Sequence, residues 1–125
     1  MKKLVLTIIC IISLCVSFGC QAQQNVKTID GKTVHQMIAD QQQFVLVDVR
    51  EENEYNEGHI PHSELIPLGT IDVDFETKVP SKETKIIVYC RTGRRSHEAC
   101  LKIMKLGYQN VYDLVGIQDW EYEIE

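Results

Sequence analysis

Residues 85–108 read KIIVYCRTGRRSHEACLKIMKLGY. An almost unbroken apolar run leads to Cys90. Three arginines and a glycine follow within five residues, and then a helical pattern begins. A run such as 85–90 is the signature of a strand covered on both faces. Ser96 is expected to start a helix that runs to Leu106, with Ala99, Cys100, Ile103 and Met104 turned inward and Gly107 ending it. A second apolar run, FVLVDV (44–49), reads the same way as the first.

Outward from these two strands the chain alternates. VKTI (26–29) is a short strand, followed by a helix capped by Asp30 or Thr33 that runs to about Asp40, with Val34, Met37 and Ile38 on one face. EENEYNEG (51–58) is a short acidic helix or turn, stopped by Gly58 and Pro61. ELIPL (64–68) is a further short strand. Residues 71–78 are ambiguous: Ile71 and Phe75 have helical spacing, but the β-branched content opposes it. NVYDL (110–114) is a strand and QDWEYE (118–123) a closing helical turn. Strand and helix in alternation over about 100 residues give an α/β domain with a mostly parallel sheet.

The totals agree with one such domain. The chain has 125 residues, 44% of them hydrophobic, and a net charge of −5, so bulk charge does not point to a nucleic-acid partner. Its start has a different character. MKK followed by LVLTIICIISLCVSF is a basic segment and an apolar segment in the order of an export signal. Residues 1–19 are assigned to that signal, 20–25 to a tether and 26–125 to the folded domain. Gly19–Cys20 resembles the end of a bacterial lipobox, which implies cleavage before Cys20, lipid attachment there and a periplasm-facing envelope protein anchored to a membrane. Ordinary cleavage after Ala22, giving a soluble periplasmic protein, is the alternative. Cleavage before Cys20 removes Lys2 and Lys3, leaving 11 basic against 18 acidic residues and a net charge of −7. Of five cysteines it leaves only Cys90 and Cys100 in the domain. Two thiols outside the cytoplasm often pair.

The position of Cys90 explains its surroundings. Ligands of open α/β sheets bind beyond the carboxyl ends of the strands, and Cys90 stands at such an end. The next residues, RTGRR, must turn the chain into a helix. A turn that tight aims successive backbone N–H groups inward, forming a nest for an anion. The first turn of the following helix adds its positive dipole end, and Arg91, Arg94 and Arg95 add charge. All of these favour thiolate over thiol, so Cys90 is expected to be an accessible nucleophile of lowered pKa acting on an anionic substrate. A cysteine at a strand end serves elsewhere as a small buried apolar residue; the combination of strand, Cys, basic glycine-containing turn and helix is what sets this one apart.

Two segments carry a family resemblance. VLVDVREENEYNEGHIPHSELIPL (45–68) resembles the amino-terminal signature of rhodanese-like domains, and IIVYCRTGRRSHEACLKIMKLGYQNVYDLVGIQDW (86–120) resembles their active-site segment. The resemblance implies a five-stranded, mostly parallel sheet with helices on both faces. It implies sulfur transfer: the cysteine takes a sulfane sulfur from a donor such as thiosulfate, becomes a persulfide, and passes the sulfur to cyanide or a thiol. By position, Cys90 matches the sulfur-accepting residue. Arg91, Thr92, Gly93, Arg94 and Arg95 match the surrounding substrate-binding loop, and Ser96 the start of the next helix. Asp48 and Arg50 match a D-x-R element that supports the site's edge, and Glu57, Gly58, His59 and Pro61 an E-G-H-I-P turn. The family's G-G-x-x-x-W appears as Val115-Gly116 and then Trp120, with valine in place of the first glycine.

Three other readings define what to test. A phosphatase of related fold uses a longer C-x5-R loop; here the sixth residue after Cys90 is Ser96, so the loop is of the shorter, sulfur type. A persulfide relay that hands sulfur to a partner protein, with little turnover on thiosulfate, has the same sequence signature as an enzyme. Thiol–disulfide chemistry between Cys90 and Cys100 lacks a C-x-x-C motif, and Cys100 falls on the inward stripe of its helix, as a packing residue does. His59 and His62 give two ligand-type residues in one turn with no third, so no metal is expected, and His59 is read as a hydrogen-bonding residue of its turn. His35 and His97 belong at the surface, and Trp120 with Tyr108, Tyr112 and Tyr122 in core and rim packing. No organic cofactor is expected, and a monomer is the favoured state.

Overall fold

The structure is a computed structural model and describes residues 25–125. The segments read from sequence as an export signal (1–19) and a tether (20–25, with Cys20 as the expected lipid site) lie outside the described residues, except for Asn25. Five strands form the sheet: β1 (Lys27–Thr28), β2 (Val45–Asp48), β3 (Ser63–Leu65), β4 (Ile86–Cys90) and β5 (Val111–Gly116). Their order is β1-β5-β4-β2-β3, and every pairing is parallel. Four helices connect them: α1 (Gly31–Ala39), α2 (Glu52–Glu57), α3 (Ile71–Lys78) and α4 (Arg94–Lys105). The α/β, five-stranded parallel architecture is thus the one expected from sequence.

Side chains of a strand alternate between the two faces of the sheet. In β4, Ile86, Val88 and Cys90 point to one face and Ile87 and Tyr89 to the other. The first face packs on Ile71 and Phe75 of α3 and on Ala99, Cys100 and Ile103 of α4. The second packs on Val34 and Met37 of α1 and on Ile60. All five β4 residues are buried, as a central strand in a two-sided core requires. Burying one side chain of this size contributes about 1.5–3 kcal/mol, so each apolar residue of the doubly covered strands β2 and β4 adds to the fold's stability on that scale.

Local signals set the helix ends. Asp30 caps α1 by accepting from the Thr33 N–H at 2.7 Å. In α2, Glu51 and Glu54 form a capping box. The ambiguous stretch 71–78 is the helix α3, because Ile71 and Phe75 both reach the core while Val73 stands 79% exposed.

Three boundaries differ from the sequence reading. The helix after Cys90 begins at Arg94, two residues before Ser96, because Gly93 serves as its N-cap with a φ of 112°. Strand β5 continues two residues past Leu114, to Gly116. The closing segment makes only a single 3₁₀ turn at Ile117–Asp119, and Trp120 is already extended. From there the chain runs to a reciprocal backbone pair, with the His59 N–H donating to Glu125 O at 2.9 Å and the Glu125 N–H to His59 O at 2.8 Å.

Candidate active site

Cys90 ends β4, and only Arg91, Thr92 and Gly93 separate it from α4. A turn this short is possible because Gly93 adopts a φ that other residues reach only with strain. It folds the chain back so that the Gly93 N–H donates to Cys90 Sγ at 3.1 Å. On another side the sulfur faces the carbonyl oxygen of Val115, at 3.7 Å. Ser96, fully buried in the first turn of α4, donates through Oγ to the carbonyls of Gly93 and Val115, both at 3.1 Å.

These contacts govern the thiol's ionisation. Burial alone would push the pKa of Cys90 up. The Ser96 hydroxyl and the amides of Ser96, Gly93 and Thr92 more than offset it, and the pKa lies below the ordinary cysteine value. A hydroxyl has one proton. With Cys90 as a thiol that proton goes to the two carbonyls; with Cys90 ionised, the sulfur becomes the stronger acceptor.

The sulfur is not the accessible group that the sequence suggested. Cys90 is only 1% exposed. It points into the core face of the sheet, and the 91–93 turn and Val115 close around it. Cys100 is also buried, and both cysteines are free. Here burial, followed by the negative charge of Asp113, raises the thiol's pKa far above the ordinary value, and no donor stabilises its thiolate.

The arginines divide into separate roles. Arg91 and Arg94 are exposed. Arg95 is engaged: both its terminal nitrogens donate to Glu54, at 2.7 and 2.8 Å, in a bidentate pair. That contact clamps the first turn of α4 to α2. Its hydrogen bonds hold the Glu54 carboxylate down at a pKa of about 2. Sequence reasoning missed Glu54, since its partner lies 41 positions away; the one local signal was its place three residues after Glu51 in a capping box. Asp48 and Arg50 form a buried pair. Arg50 donates to both Asp48 oxygens, at 2.7–3.1 Å, and to Gly58 O at 2.7 Å. The pair ties the end of β2 to the Gly58 turn. Arg50 and Arg91 line a shallow cleft beside the site with Gly58, Gln118, Trp120 and Tyr122.

His59 hydrogen-bonds within its own turn, with Nδ1 3.0 Å from Tyr55 O, and its ring stacks on Tyr55. His35 and His97 are exposed. Among the described residues no group of three or more potential metal ligands comes together.

The fold is a parallel α/β sheet with a hydrogen-bonded thiol at the carboxyl end of its central strand. The sequence matches the rhodanese-like domain family over residues 30–123, and the chain belongs to that family. It is 35% identical over 91 residues to a sulfurtransferase of Allochromatium vinosum, covering 73% of this chain and 83% of that protein. It is 33% identical over 73 residues to the thiosulfate sulfurtransferase PspE of Escherichia coli, covering 58% and 70%. Among solved structures, a rhodanese-related protein of Thermoplasma volcanium superposes with a TM-score of 0.67 at 27% identity, over 79% of this chain and 97% of that one. Sulfur transfer is the general activity that this kinship supports.

Proposed function

We propose that the chain is a sulfurtransferase of the thiosulfate type in which Cys90 carries the sulfur. The Cys90 thiolate attacks the outer sulfur of thiosulfate, the sulfur–sulfur bond of the donor breaks, and sulfite leaves with the bonding pair. The persulfide at Cys90 is then attacked at its terminal sulfur by cyanide or a thiolate, and the Cys90 thiolate departs. Anionic charge rests on sulfur in both half-reactions, and the same amides favour it each time. Two half-reactions at one site predict ping-pong kinetics.

The observation that carries this reading is the Gly93 N–H on Cys90 Sγ at 3.1 Å, in a setting that lowers the thiol's pKa in spite of burial. The three-residue turn favours transfer of a single sulfane sulfur over transfer of a phosphoryl group, since a ring of amides this small suits one sulfur atom bonded to Cys90 and not a phosphoryl group with its three oxygens. Arg91, Arg94 and the cleft that Arg91 shares with Arg50 offer charge for the sulfonate end of the donor.

The 1% exposure of Cys90 favours a second reading, a persulfide relay whose partner protein opens the turn. Mass spectrometry after incubation with thiosulfate tests the chemistry common to both: a gain of one sulfur, about 32 Da, on the peptide containing Cys90, abolished by C90S and retained by C100A. No gain on that peptide would overturn the proposal. Turnover with thiosulfate and cyanide then separates the enzyme from the relay. The proposal includes export and anchoring at Cys20, which rest on residues 1–20 of the sequence and are checked by the mass of the mature amino terminus.

A further inference from the structure

Strand β5 is irregular at one point. Its pairing with β4 steps from Val88–Asp113 to Tyr89–Val115, leaving Leu114 out of register. Irregularities of this kind re-aim backbone groups beside functional sites. Just past the step, Val115 has a φ of 80°. A residue with a branched β-carbon is a genuine outlier there, whereas a glycine would take the same backbone freely. The surroundings hold Val115 in place. Its N–H donates to Asp113 Oδ1 at 2.8 Å, and its carbonyl accepts from Ser96 Oγ at 3.1 Å and faces Cys90 Sγ.

The side chain has one distinctive neighbour. Val115 Cγ1 fills the space beside Gly93 so completely that a β-carbon on Gly93 would lie 2.6 Å from it. Gly93 has no side chain of its own to fix its peptide, and its N–H is the donor on the sulfur. We propose that Val115 is a positioning residue for the nucleophile: its isopropyl group, pressed against Gly93, keeps the Gly93 N–H aimed at Cys90 Sγ. The backbone strain at Val115 is what the fold tolerates to keep a branched side chain at that spot. The inference deepens the sulfur-transfer reading and rests on it, since the thiol that Val115 serves is the proposed sulfur carrier.

The test is the pH dependence of Cys90 alkylation by iodoacetamide in the full-length protein, read by mass spectrometry on the peptide containing Cys90. Access to the thiol sets the plateau rate at high pH, and ionisation sets the midpoint, so the two effects separate. V115A and V115G remove the packing against Gly93 and are expected to raise the midpoint by about half a unit or more, slowing alkylation about threefold below it. V115T keeps the branched β-carbon and a methyl group and is expected to hold the native midpoint. V115G relieves the strained φ, so it reports from a folded protein even if V115A does not fold. An unchanged midpoint in V115G, or a V115T shift as large as that of V115G, would overturn the assignment. The readout needs no sulfur transfer, so a failure of the sulfurtransferase reading would appear separately, as an absent persulfide.

Discussion

Cys90 and Cys100 belong to the same core cluster, one from the sheet and one from the helix that covers it, and both are almost wholly buried. Their thiols nonetheless shift in opposite directions, that of Cys90 below the ordinary value and that of Cys100 far above it. Burial pushes both thiols up, so it does not by itself explain why Cys90 falls. What differs is the supply of donors. Cys90 stands where a strand stops and a helix starts, and the free amides of that junction converge on it. Cys100 sits nearly two turns into that helix, where the backbone amides are already spent on the helix itself. A lowered thiol pKa is here a matter of position relative to helix ends.

Native-state alkylation is the hardest test of that contrast. Near neutral pH, Cys90 is expected to react at least about a hundredfold faster than Cys100, with denaturation erasing the difference. Peptide-resolved mass spectrometry over a time course measures both in one sample. Equal protection of the two would show that burial governs after all, and that the 91–93 turn does not open.

A smaller effect sharpens the same comparison. Ser96 supplies the largest of the influences that lower the Cys90 pKa, through its hydroxyl. S96A is expected to raise the alkylation midpoint of Cys90 by about one unit, which lowers the thiolate fraction about tenfold below it. Cys100 should stay as inert as before. A midpoint that does not move would assign the lowering to the amides alone.

The strands and the strand-end position of Cys90 were legible because their signals are local. FVLVDV and KIIVYC are continuous apolar runs, and both proved to lie in doubly covered strands. The start of α4 was misplaced because sequence rules look for a hydroxyl or carboxylamide at the N-cap. Here a glycine in the left-handed region takes that position, while the serine three residues on turns inward to bond Gly93 O and Val115 O. The burial of Cys90 was hidden for a different reason. It depends on how tightly the 91–93 turn and a bulged strand close on the sulfur, and nothing in the order of residues encodes that distance. Glu54 was invisible as a site residue because Arg95 meets it only through tertiary packing. The charge of the 91–95 stretch was read as one cradle, whereas one of its three arginines is neutralised by a partner from another helix.

That partner gives the smallest of the expected effects. Hydrogen bonds from Arg95 hold Glu54 at a pKa of about 2, against an ordinary value of 4.5. A carboxylate whose pKa is depressed by folding stabilises the native state above its unfolded value, and the contribution fades as pH falls through the folded one. E54Q is therefore expected to cost about 1 kcal/mol at pH 7. The gap to the native protein should narrow between about pH 4.5 and pH 2, as urea unfolding at several pH values measures. The same substitution bears on the cysteines. Arg95 interacts with the charge on Cys90, and freeing it from Glu54 leaves its positive charge uncompensated beside the thiolate. The Cys90 midpoint is then expected to fall by about 0.3 unit while Cys100 is unaffected. A rise instead would mean that Arg95, once released from α2, swings away from the site, and that the clamp to Glu54 is what keeps its charge within reach of the sulfur.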